Sequence, residues 1–215
     1  LYVLCLNYMG TFYLLVDSME QAKSCLEKAY FISDSLHEMN VKHLVLDKLI
    51  EVEEQLEPYK ALRYAKDLVK MYDSMANVTI YNKVAARLRL GENFFYVDSL
   101  QHALEEERKA YRMAMKAGDS NLLSYVRQNL ASTFEEMGEK DSCLYYARSA
   151  YDLNAANRFS CLLTFASAYI SVDSLNQAFS LLNQALPKTA EDRYSVFYFQ
   201  SQAAMKAHDF KSAKS

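Results

Sequence analysis

The stretch from Asp17 to Tyr30, DSMEQAKSCLEKAY, returns from Asp98 to Tyr111 as DSLQHALEEERKAY with unchanged spacing, and a looser copy, DSLNQAFSLLNQA, begins at Asp173. Each copy sets a small residue five positions after its Asp and another seven further on: Ala22 and Ala29, Ala103 and Ala110, Ala178 and Ala185. Seven residues are two helical turns, so the paired alanines share one face and mark where a neighbouring helix comes close. A chain built this way stacks similar units on one another instead of closing around a single core.

With the first small residue as anchor, the units register at Ala22, Ala61, Ala103, Cys143, Ala178 and Ala213, in steps of 39, 42, 40, 35 and 35 residues. Twelve residues before the anchor stands a second small residue, Gly10, Gly91, Ala131, Ala166 or Ser201, with Leu49 as the exception. Nine before it stands an aromatic, Tyr13, Phe94, Phe134 or Tyr169, with Val52 and Ala204 as exceptions. Tyr30, Tyr111 and Tyr151 follow the second small residue of their units.

Four glycines and two prolines supply too little turn chemistry for a many-stranded sheet, so the class is all-α. A net charge of -3 gives no basic footprint for nucleic acid. No apolar run is long enough to span a bilayer; the most apolar, Leu1 to Val16, reads as a buried helix. Without an initiator methionine or a basic leader, the chain is expected to be a piece of a longer one. Cys5, Cys25, Cys143 and Cys161 have no ligand-like spacing and read as free buried thiols, which leaves the compartment open.

Met9-Gly10 with Tyr13, Leu90-Gly91 with Phe94, Leu130-Ala131 with Phe134 and Phe165-Ala166 with Tyr169, followed by Ala22, Leu26 and Ala29 or by Ala178, Leu182 and Ala185, resemble the tetratricopeptide repeat (TPR) family. The resemblance covers nearly the whole chain and implies an α-solenoid of about six antiparallel helix pairs, A then B, forming a right-handed superhelix with a concave groove. The units are 1–39, 40–77, 78–119, 120–157, 158–190 and an incomplete 191–215. The long first three steps resemble TPR sensor regions of bacterial regulators, and the Asp-Ser-Leu and Asp-Ser-Met signatures are similar to TPR proteins of Bacteroidetes. Their extra residues place one or two additional turns on helix B.

Asp17 with Glu20, and Asp98 with Gln101, have capping-box spacing and are expected to start helix B. Pro187 is expected to end helix B of the fifth unit, and Asp209 to open the last helix. The acidic runs Glu51–Glu54 and Glu105–Glu107 read as solvated helix faces, and His37, His43, His102 and His208 lie apart from one another. No nucleophile motif, phosphate loop or metal-ligand spacing is present, so neither an enzyme nor a cofactor site is expected.

The TPR register gives helix A the groove wall, with Asn7, Tyr8 and Thr11, then Asp47 and Glu53, then Thr164 and Ser167, then Tyr198 and Gln202 among its positions. The candidate ligand site is Arg89, Glu92, Tyr96, Tyr125, Gln128, Asn129, Ser132 and Glu135, where uncharged amides and tyrosines could hold an extended peptide. Ala85 and Asp47 stand where a clamp for a peptide carboxylate would want Lys and Asn. The expected function is a non-catalytic protein- or peptide-binding module, the sensor or interaction region of a larger bacterial signalling or transcription regulator. The alternative is a scaffold or adaptor that assembles a multiprotein complex. The apolar faces built by Phe197, Phe199 and Met205 at one end, and the opposite end, are expected to support self-association.

Overall fold

The computed structural model describes residues 1–153 and 155–212, with side chains through 208. Among them every regular element is helical. Five antiparallel pairs follow one another: α1 (Tyr2–Leu15) with α2 (Met19–Ser35), α3 (Met39–Leu56) with α4 (Pro58–Ser74), α5 (Ile80–Tyr96) with α6 (Leu100–Ala117), α7 (Ser120–Glu136) with α8 (Lys140–Tyr151), and α9 (Arg158–Ser171) with α10 (Leu175–Leu182). Helix α11 (Ala190–Ser212) comes last. The fold is the all-α helical-repeat solenoid read from the spacing. It divides into two compact units, Leu1–Glu106 and Glu107–Ser215.

In the first unit, a Cβ added at Gly10 would lie 2.5 Å from Leu26 Cγ, so only glycine lets α1 reach α2 here. Ala22, Leu26 and Ala29 are fully buried beneath it. The second pair lacks this small contact and fills the space with bulk: Leu49, Leu46, Ile50 and Val52 are all fully buried against Ala61 and Ala65. Burying a side chain of that size is worth about 1.5–3 kcal/mol. The Leu1–Val16 segment is a correction. Only Val3, Leu6, Asn7 and Gly10 of α1 are buried, while Tyr8, Phe12 and Leu15 are exposed, because the helix is apolar all round and α2 and α3 cover one side of it.

In the second unit Ala131, Ala166, Cys143 and Ala178 are buried at the close-approach positions, to 1% exposure or less. Ser201 is exposed instead, with Ala203 buried on α11. The anchor Ala213 lies outside the described residues.

The Asp-Ser pairs do a different job from the one expected. Ser18 and Ser174 occupy the N-cap positions without a side-chain capping bond. Asp17, Asp98 and Asp173 adopt left-handed backbone, at φ 56°, 57° and 62°, and so end helix A. Asp17 N–H donates to Leu14 O at 3.1 Å, one of the two bonds of a Schellman stop. The left-handed site accepts Asp, as it accepts His37 and Gly138 in other corners, because a short polar side chain or none minimises its strain. Side-chain caps occur elsewhere, at Thr79 and Asp119.

The lengthened B helices are present: α2, α4 and α6 have 17, 17 and 18 residues, against 12 in α8 and 8 in α10. Two local expectations fail. Helix α10 stops at Leu182, before Pro187 is reached, and α11 runs unbroken through position 209, so no helix starts there.

Candidate functional site

On α5, Arg89 Nε lies 3.1 Å from Glu54 Oε1 of α3, and Asn93 Nδ2 donates to the same oxygen at 2.9 Å. Asn93 also donates to the Arg89 carbonyl, which fixes its amide. Arg89 is thus held by its neighbour, with Glu92 half-buried one turn on and Tyr96 60% exposed at the end of the helix. Partial burial, then the nearby Glu92 and Glu54 carboxylates, push the Tyr96 phenol above its ordinary pKa. Glu53, placed on the groove wall by register, is fully buried and pairs with Lys23 of α2 at 3.1 Å. Asn7 is buried as well, whereas Tyr8 and Asp47 are exposed.

On α7, Tyr125 is 45% exposed. Gln128 Nε2 donates to Ser160 Oγ of α9, and its Oε1 accepts from Asn157 Nδ2 at 3.0 Å. Ser124 Oγ donates to Asn157 Oδ1 at 2.6 Å and lies 3.1 Å from Cys161 Sγ. Three side chains of α9 and its N-cap, Asn157, Ser160 and Cys161, therefore meet Ser124 and Gln128 of α7 through one polar seam. Asn129 is half-buried, and exposed Ser132 bonds back to the Gln128 carbonyl. Glu135 accepts from Ser167 at 2.8 Å; burial raises its pKa, and that hydrogen bond opposes the rise.

Register alone did not single out Ser124, Asn157, Ser160 and Cys161. Their signal is the recurrence of small polar residues on α9 opposite the one position of α7 that carries Gln. The thiols also divide: Cys143 and Cys161 are buried, but Cys5 is exposed and Cys25 intermediate, all free. Burial pushes the Cys143 thiol up to about 12, which leaves it inert as a nucleophile.

The acidic runs are the largest correction. Glu53, Glu106 and Glu107 are buried, not solvated. Glu106 meets Arg87 Nη1 at 2.8 Å, and Glu107 accepts from the Thr133 hydroxyl at 2.7 Å. Glu107 stands at the position filled by Leu26, Ala65, Ala147 and Leu182 in other units, which is the signal that places it inside.

This arrangement of pairs was compared with known proteins. No family model matches the sequence, and no curated protein matches it. Solved structures do. A signal-transduction ATPase with a tetratricopeptide repeat sensor from Pyrococcus horikoshii superposes with a TM-score of 0.75 at 14% identity, over 94% of this chain and 33% of that one. The chain has a TPR-like fold. A putative kinesin light chain of nearly identical TPR-like repeats from Podospora anserina gives 0.72 at 14% identity, over 94% and 95% of the two chains. The apo form of RapI gives 0.75 at 14%, over 92% and 71%. This TPR-like array spans a third of the length of the ATPase, and no helix among its described residues is long and apolar enough to cross a membrane.

Proposed function

We propose that this chain is a non-catalytic protein- or peptide-binding module that works as the sensor or interaction region of a larger bacterial regulator. The observation that carries the reading is the α7 face, where the exposed ring of Tyr125 stands on the same helix as the half-buried Asn129 and the exposed Ser132. A ring adds contact area at little entropic cost, and an amide can serve both halves of a peptide group. Likeness of fold to an array that serves as a sensor is consistent with the regulator role. No nucleic-acid partner and no cofactor belong to this reading.

The test is selection of a random peptide library on the immobilised chain, repeated on Tyr125→Ala and Asn129→Ala. Selected peptides should bind each variant more weakly by a factor of about 5 or more, with melting temperature unchanged. Equal binding to parent and variants removes the α7 face from the function. A second reading, a scaffold that uses its B helices, is favoured by Phe31, Tyr59 and Tyr145, exposed to 74%, 76% and 63% on α2, α4 and α8. Loss of the selected peptides on Tyr145→Ala instead would support it.

A further inference from the structure

In the fourth pair, Tyr146 of α8 lies flat on Phe134 of α7, with ring centres 5.5 Å apart and planes 7° from parallel, and meets Tyr111 edge-on at 6.2 Å. Three rings thus fill the wedge between successive helices, and the middle one comes from helix B. The fifth pair has the same register, with Tyr151 in the place of Tyr111 and Tyr169 in that of Phe134, but its middle ring comes from helix A. Phe165 of α9 sits 5.8 Å from Tyr151 and 4.5 Å from Tyr169. The helix-B position that carries Tyr146 in the fourth pair is Leu181 in the fifth.

The fifth pair thus carries its middle ring on α9 and the smaller Leu181, 7% exposed, on the α10 side. The result is a cleft of about 430 Å³ lined by Phe165, Tyr169, Asn176, Gln177, Ser180, Leu181 and Gln184. Among the described residues no Asp, Glu, Lys or Arg lines it, so these offer nothing to compensate a charged ligand. Gln184 is anchored by its bond to the Ser180 carbonyl, and Asn176 and Gln177 are exposed at the rim. A side-chain amide presents one donor group and one acceptor, the complement of a peptide group, and the two rings offer edges and faces to a third.

We infer that the α9–α10 cleft is a binding site for a neutral peptide segment carrying an aromatic side chain, which takes the place that Tyr146 fills in the preceding pair. This site is separate from the α7 face.

The test uses the chain labelled with ¹⁵N and, as probe, N-acetyl-tyrosinamide at millimolar concentration, with N-acetyl-glycinamide as control. The side-chain amide signals of Asn176, Gln177 and Gln184 should shift saturably with the tyrosine probe and not with the glycine one. Leu181→Tyr, which installs the fourth pair's own plug, should abolish the shifts. Gln177→Ala, at an exposed position, should weaken the probe severalfold without changing the melting temperature, and Tyr125→Ala should leave the shifts as they are. The proposal is overturned if the tyrosine probe moves none of these signals, if a fully folded Leu181→Tyr chain binds it undiminished, or if methyl glucoside shifts the signals and the tyrosine probe does not.

Discussion

The backbone amide of Ser18 donates to the carbonyl of Tyr13 at 2.8 Å, tying the residue before helix B to the aromatic of helix A. The same bond joins Ser99 to Phe94 at 2.8 Å, Glu139 to Phe134 at 2.9 Å and Ser174 to Tyr169 at 2.9 Å. Each corner is closed by backbone groups across the left-handed residue, which fixes the backbone of the aromatic nine positions before the anchor; Phe134 is buried there, and Tyr13, Phe94 and Tyr169 are half-buried.

Replacing Asp98 with Gly should stabilise the chain by about 0.5–1 kcal/mol, because glycine adopts left-handed backbone without steric cost. Asp98→Val should destabilise it by about 1–2 kcal/mol for the opposite reason. Urea denaturation of the two variants checks both signs.

Gly10→Leu should cost about 1–3 kcal/mol through overpacking against Leu26. Gly10→Ala in a Leu26→Ala background should cost less than Gly10→Ala alone, since the clashing carbons are gone. A double-mutant cycle measures this coupling, and a value of zero would mean that α1 and α2 do not meet at this point.

Thr133→Val removes the hydroxyl that Glu107 accepts from and should destabilise the chain by about 1–3 kcal/mol, since a buried carboxyl loses a donor. Conservation of volume separates this from cavity formation. Thermal unfolding of Thr133→Ser, which keeps the hydroxyl, should recover part of the loss.

Glu135 has its pKa raised above 4.5 mainly by burial, so the folded chain holds its proton more tightly than the unfolded one. The proton's contribution to stability is complete below pH 4.5 and is lost as pH rises through the folded value. Glu135→Gln should therefore raise the melting temperature at pH 7, change it little at pH 4, and flatten the profile between. A variant with no gain at pH 7 would show that Ser167 fully offsets the burial.

The helix pairs were legible because close packing leaves a mark at fixed spacing: the small residues at 10, 131 and 166 and the anchors at 22, 103 and 178 recur whatever else changes. The buried acids were not, because a run such as Glu105–Glu107 has the composition of a wet helix face. Its place in the register, that of Leu26 and Leu182, puts Glu107 inside, and the partner that satisfies it there, Thr133, lies 26 residues away, where composition does not reveal it. The corner role of Asp17 was hidden for a related reason. Asp at a helix start and Asp in a left-handed stop have the same neighbours, and only backbone geometry separates them. On α7, Tyr125 could be read as partly exposed from register alone. The commitment of Gln128 to Asn157 and Ser160 depends on how α9 lies against it, which no local pattern encodes.

The seam through Gln128 also ties the fourth helix pair to the fifth. Its one amide closes two bonds to the next helix pair, so a ligand atom that captures either bond releases a contact between α7 and α9 as it gains its own. Amide hydrogen exchange at the first turn of α9 should report a bound group before any chemistry at the group itself is known.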